Sequence, residues 1–148
     1  MPSAPAMHSY DYATIRLVPQ VEREEFINVG VILFCKEKAF CRAAIELDEE
    51  RTRLLFPAVE LPAVRSYLDA IPRICEGGEA AGPLGALPVR ERFLMLVAPR
   101  STMVQPSPVH TGLTDDPAAT LERLMDQMVR QFPQALSREN TRAQKKEQ

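Results

Sequence analysis

The chain has 148 residues, a length that fits one domain and leaves little room for two. Apolar residues make up 45% and charged residues 26%, an ordinary globular balance that excludes wholesale disorder. The formal net charge is −2, so no global basic field recruits nucleic acid, and no apolar run reaches the roughly 20 residues of a membrane helix.

Residues 1–9 hold two prolines and little that packs, and are expected to be disordered. They carry neither a basic region nor an apolar core, so they do not read as a signal peptide. Over 10–18 the residues alternate. Tyr10, Tyr12, Thr14, Arg16 and Val18 share one face, and Asp11, Ala13, Ile15 and Leu17 share the other, which predicts a strand that Pro19 stops. Residues 26–35, FINVGVILFC, are almost continuously apolar and predict a strand buried on both faces. After the charged turn 36–38, residues 40–47 are expected to return antiparallel as a third strand.

Helices follow. Asp48 caps a helix expected over 49–56, and Pro57 ends it. Pro62 suits the first position of a second helix. Val64, Tyr67, Leu68, Ile71, Ile74 and Cys75 form its apolar stripe, Pro72 is expected to kink or shorten it, and Gly77 and Gly78 stop it. Residues 76–88 contain four glycines and two prolines and read as a flexible connection. Residues 93–97 fit either a helix or a buried strand, with helix favoured by leucine and methionine content. A fourth strand is expected at 101–105, within an extended, proline-rich loop over 99–112. Asp116 and Pro117 open the last helix, with Leu121, Leu124, Met125, Met128, Val129 and Phe132 on its buried face. Residues 137–148 are charged, lack a large apolar side chain and are expected to be disordered. The expected fold is α+β. It is a small antiparallel sheet, with an N-terminal three-stranded meander and a fourth strand near 101–105, packed against three to four helices as a single domain over 10–136.

Two pairs of segments carry a family resemblance. Tyr10-Asp-Tyr-Ala-Thr-Ile-Arg16 with Glu25-Phe-Ile-Asn-Val-Gly-Val-Ile-Leu-Phe34 resembles the opening of the bacterial domain of unknown function 3037. Ala98-Pro-Arg-Ser101 with Gln105-Pro-Ser-Pro-Val-His-Thr-Gly-Leu-Thr-Asp-Asp-Pro117 is similar to its second signature. The likeness spans about residues 10–132. It implies a small prokaryotic protein of unassigned function, often encoded beside a HipA-like kinase, which would be its protein partner. It supplies no catalytic residue.

The candidate site residues are Arg16, Asn28, Arg100, Ser101, His110 and Thr111. Asn28 interrupts a buried strand, so its amide either bonds a neighbouring loop or bulge or orients a ligand. Gly30 marks a bulge or a close approach of backbone or ligand. Arg16 pairs with Glu22, Glu24 or Glu25, stacks on an aromatic ring, or binds an anion. Arg100, Ser101, His110 and Thr111 supply a guanidinium fork, two hydroxyls and an imidazole on one loop, which is anion-binding chemistry as readily as it is local turn bonding. His8 falls in the loose terminus, and Asp115 and Asp116 serve as helix caps.

Cys35, Cys41 and Cys75 lack paired spacing and read as free thiols of a reducing cytosol, with Cys35 and Cys41 as apolar packing. No Walker loop, dinucleotide fingerprint or zinc motif occurs, so neither cofactor nor metal is expected. The tail carries Arg138, Arg142, Lys145 and Lys146 against Glu139 and Glu147, a solvated surface rather than a nucleic-acid arm. The leading expectation is a cytoplasmic, non-enzymatic interaction protein. The rivals are an enzyme or binding protein for an anionic or phosphorylated ligand, using a polar pocket where Arg16, Asn28, Arg100 and His110 converge, and a nucleic-acid binder.

Overall fold

The computed structural model describes residues 6–130. The element order is β1 (His8–Leu17), β2 (Ile27–Cys35), β3 (Phe40–Ile45), α1 (Glu49–Leu55), α2 (Leu61–Glu76), α3 (Val89–Leu96), β4 (Val104–Pro106), β5 (His110–Thr114) and α4 (Pro117–Met128). Short 3-10 segments lie at Val21–Arg23 and Glu79–Ala86, the latter inside the glycine-rich connection. The fold is α+β with a five-stranded antiparallel sheet. The expected tail over 137–148 and Phe132 lie outside the described residues.

β1 is the centre of the sheet. One edge pairs with β2, which pairs onward with β3. The other edge is shared: β5 pairs with the first half, His8 to Tyr12, and β4 with the second, Ile15 to Leu17. The alternation of β1 separates two cores. Ala13, Ile15 and Leu17 join Leu61, Val64 and Leu68 of α2 and Phe93 and Leu96 of α3. Tyr10 faces the opposite way, with Leu121, Leu124 and Met125 of α4. β2 feeds both layers, as its unbroken apolar run requires: Ile32 and Phe34 enter the first core, and Val31, Leu33 and Cys35 the second. Val31 and Leu33 are fully buried, each contributing roughly 2 kcal/mol of transfer free energy. Phe34 stacks on Phe93 with ring centroids 5.2 Å apart, fixing α3 against the sheet.

A bulge sets the faces of β2. Ile15 pairs with Gly30 but Arg16 pairs with Asn28, so Val29 is an extra residue on the β2 side. Strict alternation would send Ile27 and Val29 to the same face as Val31. The bulge turns both into the α2 core and turns Asn28 toward α4. Gly30 allows this because a Cβ there would stand 2.6 Å from the Ala44 carbonyl oxygen.

Several expectations need correction. β1 starts at His8, where the ring bonds Glu37, so the N-terminal segment is ordered earlier than expected. Phe26 precedes β2 and is 43% exposed. α2 runs through Pro72 to Glu76, so the proline does not shorten it. Tyr67 is 63% exposed, because Leu61, Val64, Leu68 and Cys75 fill the buried stripe and leave it on the flank. The fourth strand begins at Val104 rather than 101, and residues 110–114 form a fifth strand where a loop was expected. Segment 89–96 is helical. The Asp48 and Asp116 caps form as expected, accepting from the Arg51 and Ala119 amides. No helix among the described residues is long and apolar enough to cross a membrane.

Candidate functional site: a cleft between two helices and a strand

The structure divides the expected site residues between the two faces of the sheet. Arg16 and Asn28 stand opposite each other on the α4 side. The Arg16 guanidinium carbon lies 4.3 Å from the centroid of the Phe26 ring, which selects the stacking reading over an acidic pair. Asn28 Nδ2 donates to the Met128 carbonyl at 3.0 Å, tying β2 to the last turn of α4. The bond satisfies one of the carbonyls that a helix C-terminus leaves free, while Asn28 Oδ1 is buried with no hydrogen-bond partner among the described residues.

His110 and Thr111 belong to the β5–β1 ladder. The His110 ring packs on Tyr12, its cross-strand partner, with centroids 5.4 Å apart. The Thr111 hydroxyl donates to the Asp11 carboxylate at 2.8 Å, also across the strand pair. Arg100 and Ser101 lie on the α2 side. Arg16, Asn28, Arg100 and His110 therefore do not converge, and the polar pocket expected from them does not form.

Arg100 and Ser101 instead border a cleft of about 490 Å³ between α2, α3 and the strand entry at 100–104. This volume lies in the range of small-molecule sites. Ile71, Ile74, Leu96 and Val104 line its deeper part, while Tyr67, Met95, Arg100, Ser101 and Thr102 are exposed and form its rim. The lining holds two arginines, Arg92 and Arg100, and no carboxylate. Three hydroxyls, from Tyr67, Ser101 and Thr102, complete its polar set.

The two arginines are held differently. Arg92 is half-buried; its guanidinium donates to the Leu87 carbonyl at 2.7 Å and to the Cys75 carbonyl at 3.4 Å. It thereby caps the C-terminus of α2, where the helix dipole favours a cation. Gly77 lies directly beneath, since a Cβ there would meet the guanidinium at 2.8 Å. Arg92 Nε is buried with no hydrogen-bond partner among the described residues. Arg100 is exposed and makes one bond, to the Met95 carbonyl at 2.6 Å. Its remaining donors are available at the rim.

Tyr67, Arg92, Met95 and Thr102 were not among the sequence candidates. The cleft is assembled from α2, α3 and the entry to β4, which meet only in the fold, and Tyr67 gave no local signal, since its spacing placed it in the apolar stripe of α2. Ser107 was missed as well, and its role is structural. Its hydroxyl accepts from the Thr14 amide at 2.8 Å and donates to the Pro108 carbonyl at 2.9 Å, where the edge of β1 passes from β5 to β4.

Arg130, after α4, is bound by Glu46, Glu122 and Asp126. These bonds, led by the one to Asp126, hold its guanidinium even more firmly protonated than usual.

The architecture is thus a two-cored α+β sheet carrying a carboxylate-free, arginine-bearing cleft. The chain belongs to the family described as "Protein of unknown function (DUF3037)", whose model matches residues 12–129. That match includes the signature segments except Tyr10 and Asp11, the whole cleft and α4. No curated protein and no solved structure gives a significant match.

Proposed function

We propose that the protein binds a small anionic molecule with a largely apolar body in the α2–α3 cleft. The observation that carries this reading is the composition of the lining: apolar side chains, two arginines and three hydroxyls, with no carboxylate, in a chain whose net charge is negative. Ile71, Ile74, Leu96 and Val104 would cover the apolar body, and Arg100 would meet the carboxylate or phosphate with its free donors. Ser101 and Thr102 would add neutral hydrogen bonds at the same end. No nucleophile paired with a base lines the cleft, so the proposal is binding, without a catalytic step.

The test is a thermal-shift series with decanoate, decyl phosphate, decanol and decylamine. Decanoate and decyl phosphate should raise the melting temperature by a few degrees when present well above their dissociation constant. Decylamine should not, and Arg100→Met should remove the gain while leaving the unliganded melting temperature in place. Equal shifts from all four compounds, or none from the two anions, would sink the proposal.

A second reading is a protein partner, the HipA-like kinase that the family resemblance implies. Tyr67 and Met95 on the rim, with Leu94 next to Met95 on α3, favour it, being 63%, 41% and 52% exposed. Co-purification of the two proteins would test it, and Leu94→Glu should abolish the complex while sparing decanoate binding.

A further inference from the structure

The α4 side of the sheet carries a row of polar side chains across three strands. Arg16 of β1 pairs with Asn28 of β2 on one side and with Gln105 of β4 on the other. Cross-strand partners project from the same face with Cβ atoms about 5 Å apart, so the three side chains stand next to one another. All three are half-buried, which leaves the row within reach of solvent. α4 ends beside it, where the Met128 carbonyl accepts from Asn28 Nδ2.

Two neighbouring atoms of this row are left over. Arg16 Nε and Asn28 Oδ1 are buried and have no hydrogen-bond partner among the described residues. Arg16 also joins none of the ion pairs formed among those residues. The Phe26 ring, 43% exposed, flanks its guanidinium at 4.3 Å, a contact that uses none of its five N–H groups. Gln105 is engaged, since its Nε2 donates to the Thr102 carbonyl at 2.7 Å. The leftover atoms are thus one donor and one acceptor on facing residues of a single strand pair. Buried polar groups are nearly always paired, so two such neighbours call for an occupant that carries both complements.

We propose that Arg16 and Asn28 bind the head group of a small α-hydroxycarboxylate with an apolar side chain, at a site on the opposite face of the sheet from the α2–α3 cleft. The two atoms together set the head group. A carboxylate accepts from Arg16 Nε and an adjacent Nη, the paired geometry that a guanidinium offers. Asn28 Oδ1 can only accept, so it requires a neutral O–H close to that carboxylate, and a hydroxyl on the neighbouring carbon meets the spacing. A plain carboxylate or a fully ionised phosphate brings acceptors alone and sets an oxygen against Oδ1. The exposed part of the Phe26 ring then covers the apolar side chain of the ligand. Pairing groups that are otherwise buried and unsatisfied makes the hydroxyl count for more than a bond formed at an open surface.

The test titrates the isotope-labelled full chain with phenyllactate, phenylpropanoate and the methyl ester of phenyllactate, read by nitrogen–proton NMR. Phenyllactate should bind saturably and shift the Asn28 side-chain amide and the Arg16 Nε–H, with little change at Leu96 and Arg100 in the cleft. Phenylpropanoate, which lacks the hydroxyl, should bind about tenfold more weakly, and the uncharged ester more weakly still. Arg16→Met keeps an unbranched stem against Phe26 and should abolish the shifts. Arg100→Met should leave them intact, so this site and the cleft fail separately. If Arg16→Met does not fold, the ranking of the three compounds on the natural chain decides. Equal affinity for phenyllactate and phenylpropanoate, shifts centred on Arg100, or no saturable shift at Asn28 at millimolar concentration would each overturn the proposal.

Discussion

Ser107 and Thr14 exchange two hydrogen bonds of different kinds. The Ser107 amide donates to the Thr14 carbonyl at 2.8 Å, and the Ser107 hydroxyl accepts from the Thr14 amide at the same distance. Thr14 is the β1 residue at which the sheet edge changes partners, from β5 to β4. The Thr14 amide needs an acceptor, and where the chain leaves β4 for the 107–109 link the Ser107 hydroxyl supplies it, so a side chain takes the place of a ladder carbonyl. Both Ser107 and Thr14 are buried, which makes the substitution compulsory.

Ser107→Ala should therefore leave the Thr14 amide buried and unpaired, and should lower stability by about 2 kcal/mol in urea unfolding. Amide exchange at Thr14 should quicken by far more than at Val31 in the adjacent strand. A variant as stable as the natural chain would mean that solvent reaches this edge.

The bulge makes a sharper demand at Gly30. Any side chain there must displace either the Ala44 carbonyl, 2.6 Å from the Cβ position, or the Ile15 and Ile45 methyls at 2.9 Å. Backbone on one side and packed core on the other leave no cheap route. Gly30→Ala should cost about 3 kcal/mol or prevent folding, whereas an Ala at Gly78, open on all sides but with a positive φ of 82°, should cost about 1 kcal/mol. Denaturant midpoints of the two variants check the order, and equal losses would contradict the close approach at Gly30.

These two positions mark how far the chain could be read from its residues. Periodicity located β1 and the double-sided burial of β2, because strand alternation and continuous apolar runs are local properties. The caps at Asp48 and Asp116 were legible for the same reason. The faces of Ile27, Asn28 and Val29 were not, since a single bulge inverts them and nothing in the tripeptide states where the phase breaks. β5 was hidden because His110, Thr111 and Gly112 have the composition of a loop, and pairing with Tyr10 to Tyr12 overrides that preference. Of the candidate site, Arg100 and Ser101 reach the cleft and Arg16, Asn28, His110 and Thr111 do not. Which face of a sheet a residue meets depends on register and on the helices covering it, and neither is a local property.

The cleft arginines should separate cleanly by experiment. Arg92 makes two charge-assisted bonds to backbone carbonyls and caps α2, so Arg92→Met should cost about 2 kcal/mol of stability. Arg100 is exposed with one carbonyl partner, and Arg100→Met should stay within about 0.5 kcal/mol. Thermal unfolding of the two variants measures the difference. The opposite order would assign Arg100 to the scaffold and leave the anion reading without its binding residue.

Alkaline pH should expose the thiol pair. Cys75 is held protonated above the ordinary thiol value of 9.0, by its hydrogen bond to Cys41 and by burial. Above pH 9.0 the unfolded chain loses this proton while the folded chain keeps it, so the group's contribution to stability falls as pH rises, by up to about 1.4 kcal/mol per pH unit. Cys41 works in the opposite sense. Its folded value is depressed, through the bond from Cys75 and the nearby Arg92, so its contribution is present above 9.0 and is lost as pH falls through that depressed value. Together the two groups place the pair's largest contribution near pH 9. Urea midpoints measured under reducing conditions from about pH 7 to pH 11 should show a steeper alkaline decline for the natural chain than for Cys75→Ala, which starts lower because a buried side chain has been cut back. Parallel curves for the two proteins would show that Cys75 titrates alike in the folded and unfolded states.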